Sequence, residues 1–251
     1  MLKEERQHLI LEILRKNGKV LATELSLHFG VSEDTIRRDL HDLDKAGKMV
    51  RVHGGGLPRS PAGINFTERL KQWPESKAAI ARAALKLIHP QQVIILDGST
   101  TTLHVAEILP PDLQATVITN SPVIASTLAD HARVEVVLIG GKLYKESRVT
   151  TGAATVDAFR TIRADICFLG ICSLHPEVGI STVDMEESYV KQAMVNGSNQ
   201  VAALSSLEKL GTASPYIVAP ITALTDLITE KGAPDEVLES YRQAGIRVEL
   251  V

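Results

Sequence analysis

Residues 31–53 read VSEDTIRRDLHDLDKAGKMVRVH and run into Gly54-Gly55-Gly56. Ser32 predicts a helix N-cap whose hydroxyl accepts from the backbone N–H of Thr35, with Glu33 and Asp34 where the positive helix end favours acids. Ile36, Leu40 and Leu43 recur at i, i+4 and i+7 and make one buried face. Thr35, Arg38 and Asp42 fall on another face, with Arg37 and His41 beside it. Gly47 suits the left-handed residue that ends such a helix, and a short strand carrying Arg51 and His53 follows. Upstream, Thr23–Phe29 reads as a short helix with a tight turn at Gly30-Val31, and His8–Lys16 as a longer one with Ile10, Leu11, Ile13 and Leu14 apolar. Three helices, a short turn between the second and third, and a basic hairpin make a winged helix-turn-helix, which presents a helix to a DNA groove.

An isolated Arg-Arg pair on a helix usually solvates a surface, here beside Asp34, His41 or Asp42. The complete order of cap, turn, arginine pair, glycine stop and basic wing favours DNA instead. Bulk charge adds little. Residues 1–60 carry 11 Lys and Arg against 9 Asp and Glu, a surplus of +2; the rest of the chain is −5, which recovers the overall −3. A generic polyanion binder is far more basic. Affinity must come from placed cations: Ser32, Thr35, Arg37 and Arg38 in the major groove, Arg51 and His53 on the backbone or in the minor groove.

ERQHLILEIL and VLATELSLHFGVSEDTIRRDLHDLDKAGKMVRVHGGG together resemble the N-terminal domain of the DeoR family of bacterial transcriptional regulators. The TIRRDL core and the R-x-HGG wing carry the resemblance, and it continues into that family's effector domain.

The 251 residues allow one small domain and one medium one. Charged residues at 23% and hydrophobic ones at 44% suit a soluble globular protein. Lys3, Glu4, Glu5 and Arg6 argue against a signal peptide, and no apolar run approaches the ~20 residues of a membrane helix. Cys167 and Cys172 lie in an apolar stretch without a His/Cys cluster and read as free thiols. The expectation is a cytoplasmic protein that uses no cofactor and no metal.

Leu57–Ala62, LPRSPA, reads as a linker after the glycines. The expected division is a winged DNA-binding domain over 1–57, a linker over 58–75 and an α/β effector-binding and oligomerisation domain over 76–251. In the last, Val93–Leu96, Ala115–Thr119, Val134–Ile139, Ile166–Gly170, Gln200–Leu204, Leu227–Thr229 and Val248–Val251 read as strands. Ser76–Ile88, Thr102–Leu109, Pro122–Ala129, Glu186–Asn196 and Pro234–Ala244 read as helices. The alternation predicts a mostly parallel, Rossmann-like sheet covered on both faces, with ligands at the C-terminal strand ends.

Three strand ends there carry small or polar clusters: Asp97-Gly98-Ser99-Thr100-Thr101-Thr102, then Thr119-Asn120-Ser121-Pro122, then Gly140-Gly141 with Gly152 after a loop. One such cluster is usually a helix cap; three at one edge favour a phosphorylated small molecule. The acids Asp184, Glu186 and Glu187 read as helix-start residues, and His175, before a proline, as part of a turn.

DeoR effector domains resemble ribose-phosphate isomerases and CoA transferases and bind phosphorylated sugars or their derivatives. LDGSTTTL, TNSP, IGG and GAATV match that pattern in order. The chain departs from it at Gly98-Ser99, where the family has Ser-Gly, and at Leu204–Lys209, where Leu replaces an acid and two residues are inserted. The resemblance implies Lys209 as a phosphate-pairing cation, an acid's role that is either absent or taken by Glu208, and Lys191 as a further family lysine.

These readings converge on a transcriptional regulator, a repressor of a carbohydrate operon, acting as a homodimer or homotetramer on double-stranded operator DNA. Two rivals remain at this stage: a sugar-phosphate isomerase or CoA-transferase-like enzyme using Asp97 or Glu208, and a winged domain that docks protein.

Overall fold

The structure, a computed structural model, describes residues 1–61 and 65–251. The N-terminal unit begins with α1 (Lys3–Asn17), β1 (Val20–Leu21), α2 (Ala22–Phe29) and α3 (Glu33–Lys45). Ser32 caps α3 as its sequence requires: its Oγ accepts from Thr35 N at 3.2 Å. Gly47 takes φ 68° just past the helix. The wing is β2 (Val50–Val52) and β3 (Gly55–Leu57), and β3 lies between β2 and β1 in a small antiparallel sheet. His53 sits in the turn and not in the strand. The glycines there have a steric reason, because a Cβ on Gly55 would lie 2.0 Å from the Val20 carbonyl oxygen.

Ile10, Leu14, Leu25, Ile36, Leu40, Leu43 and Met49 form the core of this unit. An ion pair that the sequence reading did not single out also crosses it. Arg6 Nε donates to Asp39 Oδ2 at 2.5 Å and Gln7 Nε2 to Oδ1 at 3.2 Å, with both charged side chains at least nine-tenths buried. The aspartate of TIRRDL therefore faces inward and fastens α1 to the recognition helix.

The segment read as a linker contains a helix, α4 (Phe66–Lys71), capped by Asn65 and anchored by buried Phe66. Ala62 of the linker reading lies outside the described residues. Then come α5 (Pro74–Ala84), β4 (Val93–Leu96), α6 (Thr100–Glu107), β5 (Ala115–Thr119), α7 (Pro122–Thr127) and β6 (Val134–Leu138). A hairpin, β7 (Lys142–Tyr144) and β8 (Val149–Thr151), leads to α8 (Ala153–Arg160) and β9 (Ala164–Gly170). β10 (Ser173–His175), β11 (Gly179–Thr182), α9 (Met185–Asn196), β12 (Ser198–Leu204) and β13 (Tyr216–Ala219) follow, and β14 (Asp226–Thr229), α10 (Asp235–Gln243) and β15 (Arg247–Leu250) complete the chain.

All seven expected strands enter one parallel sheet in the order β15-β14-β12-β9-β4-β5-β6. Apolar clusters cover both of its faces, one around Phe159, Val190 and Tyr241, the other around Ile80, Leu103 and Phe168. The strand order reverses between β4 and β9, so their C-terminal ends diverge there and leave a crevice. Four features go beyond the expected elements: α4, α8, the β7–β8 hairpin and a small antiparallel sheet β10-β11-β13.

Removing one partner of a buried ion pair strands the other charge, at a cost of roughly 3–5 kcal/mol. Asp39→Ala is expected to lower the stability of the winged unit by about that amount. Urea unfolding followed by circular dichroism measures it, and a loss below about 1 kcal/mol, the worth of a surface pair, contradicts the assignment.

Candidate functional site

The first candidate surface is α3 with the wing. Arg37, Arg38, Arg51 and His53 are all exposed. Arg37 is engaged within its own helix, donating to Glu33 Oε2 at 2.7 Å and to Asp34 Oδ1 at 3.2 Å. Pairs this exposed are worth only ~0.2–1 kcal/mol, so a phosphate or base edge can displace them. Among the described residues Arg38, Arg51 and His53 have no hydrogen-bond or ion-pair partner. Ser32 and Thr35 share a hydroxyl contact of 2.9 Å at the α3 N-terminus.

The second site is the crevice between β4 and β9. Asp97 ends β4; its Oδ2 accepts from Lys191 Nζ at 2.5 Å and from Gly170 N at 3.0 Å. Lys191 also donates to Gly170 O at 3.2 Å and lies 3.6 Å from Glu187 Oε1. Burial lowers the Lys191 pKa, but Asp97 and Glu187 outweigh it and the net shift is upward, so the ammonium stays charged. This pair closes on itself. Asp97 is then not a free base, and Lys191, which lines the cavity, is already neutralised.

Ser99 caps α6 in a capping box with Thr102. The N–H groups of Thr100 and Thr101, in the first turn, have no intrahelical partner and are available to an anion. The Gly98-Ser99 order has a local reason. A Cβ on Gly98 would lie 2.0 Å from Val149 Cγ1, while the hydroxyl at 99 is the one the helix uses.

Gly98, Ser99, Thr100, Thr101, Lys191 and Lys209 line one cavity of about 40 Å³, space for about three waters, or for one phosphoryl group. Sequence reasoning missed two cations beside it. Arg69 on α4 lines this cavity, and with Lys77 on α5 it lines an adjoining one of about 20 Å³ that shares Thr100 and Lys209. Arg69 Nη2 donates to Ser147 Oγ at 3.4 Å, and Ser147 Oγ donates to Glu187 Oε2 at 3.0 Å. Lys77 is buried and donates to the Arg69 carbonyl oxygen. Its pKa is lowered to about 8 by burial, with Lys209 and Arg69 adding to the shift and Glu208 opposing it. Burial likewise lowers that of Lys209. Among the described residues no carboxylate lies within ion-pair distance of Lys77 or Lys209. Lys77 is buried and Lys209 partly so, and the main opposing charge acting on both is Glu208. Glu208 accepts from Ser206 Oγ at 2.6 Å.

Four expected site residues lie elsewhere. Asn120 Nδ2 donates to Thr150 O at 2.9 Å and Ser121 caps α7, joining β5 to β8. A Cβ on Gly141 would lie 2.0 Å from Thr155 Oγ1, and Gly152 precedes α8. None of the four lines the cavity. His175 ends strand β10 and does not lie in the turn expected for it; it is buried, and its Nδ1 accepts from Glu177 N at 3.1 Å. Cys167 and Cys172 are free thiols; Cys172 lines the cavity, whereas Cys167 is sealed in the core, where burial pushes its pKa far up.

Residues 6–58 match a DeoR-like helix-turn-helix domain and residues 72–231 a DeoR C terminal sensor domain. The HTH-type transcriptional repressor GlcR of Bacillus subtilis (strain 168) is 35% identical over 92% of this chain and 90% of its own length. The HTH-type transcriptional regulator GolR of Listeria innocua is 32% identical over 98% of each chain. The glycerol-3-phosphate regulon repressor of Escherichia coli (strain K12) is 29% identical over 100% of each. With both of its domains matched, the chain belongs to the DeoR family of DNA-binding transcriptional regulators and is not an enzyme.

Proposed function

We propose that the protein represses a carbohydrate operon and is controlled by a phosphorylated sugar or sugar derivative held in the β4–β9 crevice. The observation that carries this reading is that buried Lys77 and partly buried Lys209, neither with a carboxylate at ion-pair distance among the described residues, line adjoining cavities that share Thr100 at the open N-terminus of α6. A phosphoryl group there meets Lys209 and the free N–H groups directly, with Lys77 beside it. The relatives named as a repressor and as a glycerol-3-phosphate regulon repressor support the same reading.

The cavity of about 40 Å³ suits the phosphoryl group, and Arg69, Ser147 and Glu187, joined by hydrogen bonds, line it with polar groups for the rest of the ligand. The consequence reaches the wing by a short path. Ala213 N donates to Pro58 O at 3.1 Å, Ser60 N donates to Ala213 O at 3.4 Å, and Ser60 Oγ donates to the carbonyl of cavity-lining Cys172. Ala213 itself packs with Val50 and Leu57 of the wing, and Thr212 Oγ1 donates to Lys209 O at 2.8 Å. An anion that shifts Lys209 therefore shifts the segment 58–60 that leaves the wing. The nearly neutral winged unit gains affinity by acting in a homo-oligomer on repeated or palindromic half-sites.

Two outcomes test the two ends of this path. Lys77→Gln is expected to weaken inorganic phosphate and sugar-phosphate binding by about 10- to 100-fold in calorimetry. Wild-type affinity falls between pH 7 and 9, because Lys77 loses its proton near 8, and the variant has a shallower profile; equal affinities and identical profiles contradict the site. On DNA, Arg38→Ala costs about 1–3 kcal/mol and relaxes sequence preference, while Arg51→Ala weakens binding evenly and flattens its salt dependence. Unchanged retention in both variants points to a winged unit that docks protein.

A further inference from the structure

The outer surface of α9 and the strand beside it form a face that the operator and effector sites leave unused. β13 is an edge strand: it pairs with β11 on one side, and among the described residues no strand covers the other. Its Tyr216 and Ile217 are 38% and 45% exposed. α9 lies against it, with Gln192 Nε2 donating to Ile217 O at 2.9 Å. Met185 and Tyr189, at i and i+4 on α9, are 44% and 45% exposed. An uncovered edge strand beside large exposed apolar side chains is a template for association.

On its other side α9 packs against α8, and the two leave a groove of about 600 Å³. Asp157 and Arg160 in that groove pair with each other at 2.9 Å. Two charges remain. Arg163 donates to backbone carbonyls, and neither it nor Glu186 has an ion-pair partner among the described residues. One unpaired charge of each sign on one groove is what a two-fold interface requires, because each copy then meets the opposite sign. A surface that matches itself in this way points to a second copy of the chain and not to a partner of one net charge.

We propose that the α8–α9–β13 face is where a second copy docks about a two-fold axis, with Tyr189 and Ile217 central and Arg163 opposite Glu186 of the partner subunit. The inference rests on the reading that the regulator works as an oligomer. It places the interface on the back of the effector site, since the inward side of α9 carries Glu187 and Lys191.

Sedimentation equilibrium of the full chain tests both claims separately. Wild type is expected to be a dimer or larger. Tyr189→Glu with Ile217→Lys should raise the dissociation constant of this interface by about 30-fold or more, with circular dichroism and phosphate binding unchanged. Arg163→Glu should weaken assembly, and adding Glu186→Arg should restore it; both positions are exposed, so this pair reports even where the first variant misfolds. A monomeric wild type overturns the oligomer reading and the interface together. An oligomeric wild type whose assembly resists all of these variants overturns the interface alone.

Discussion

The sensor half depends on one buried charge pair. Lys191 and Asp97 meet at 2.5 Å with both side chains almost wholly out of water. Two bare charges in such a place cost several kcal/mol each, and their attraction repays this only when further hydrogen bonds complete the geometry. Gly170 supplies them, giving its N–H to Asp97 and its carbonyl to Lys191. The pair thereby binds the end of β4, the end of β9 and helix α9 at the point where the strand order reverses. It holds the crevice in shape and keeps both of its own charges out of the chemistry there.

That division of charge explains the rest of the site. Lys191 is satisfied from within, whereas Lys209 and Lys77 have no carboxylate at ion-pair distance among the described residues. Arg69, on the stretch that joins the two halves, lines the same cavity as Lys191 and Lys209. Residues 58–60 run between Ala213 and Cys172 and continue directly from the wing. Sensor and wing share backbone hydrogen bonds, so coupling between them needs no long chain of contacts. Lys19 and Glu177, 3.5 Å apart, add an exposed tie between the two halves.

Much of this was legible in the sequence. The inner strands of the main sheet are largely buried and read as apolar runs such as VIIL at 93–96, while Ser32, Gly47 and the α3 stripe announced the recognition helix. What escaped was short or long-range. β7, β8, β10 and β11 are three or four residues each, too brief to show a period, and α4 is a single capped turn and a half. The Arg6–Asp39 pair escaped notice because its two residues lie 33 positions apart. Lys191 looked like an anion ligand because its partner Asp97 is 94 residues away. Lys77 sits in a helix of ordinary composition, and only the fold reveals that it is buried with no carboxylate at ion-pair distance among the described residues. Asn120, Ser121, Gly141 and Gly152 had the composition of a ligand loop, yet they serve local capping and close packing.

On this reading, occupancy of the β4–β9 crevice sets operator affinity through Lys209 and the segment 58–60. Its most direct measurement is the fluorescence anisotropy of a labelled operator, titrated with protein in the presence and absence of a panel of pentose and hexose phosphates. At least one of them should change wild-type operator affinity by about 5- to 150-fold, and Lys209→Gln should bind the operator normally but not respond. An operator affinity indifferent to every phosphate in the panel, or an equal response from Lys209→Gln, contradicts the account.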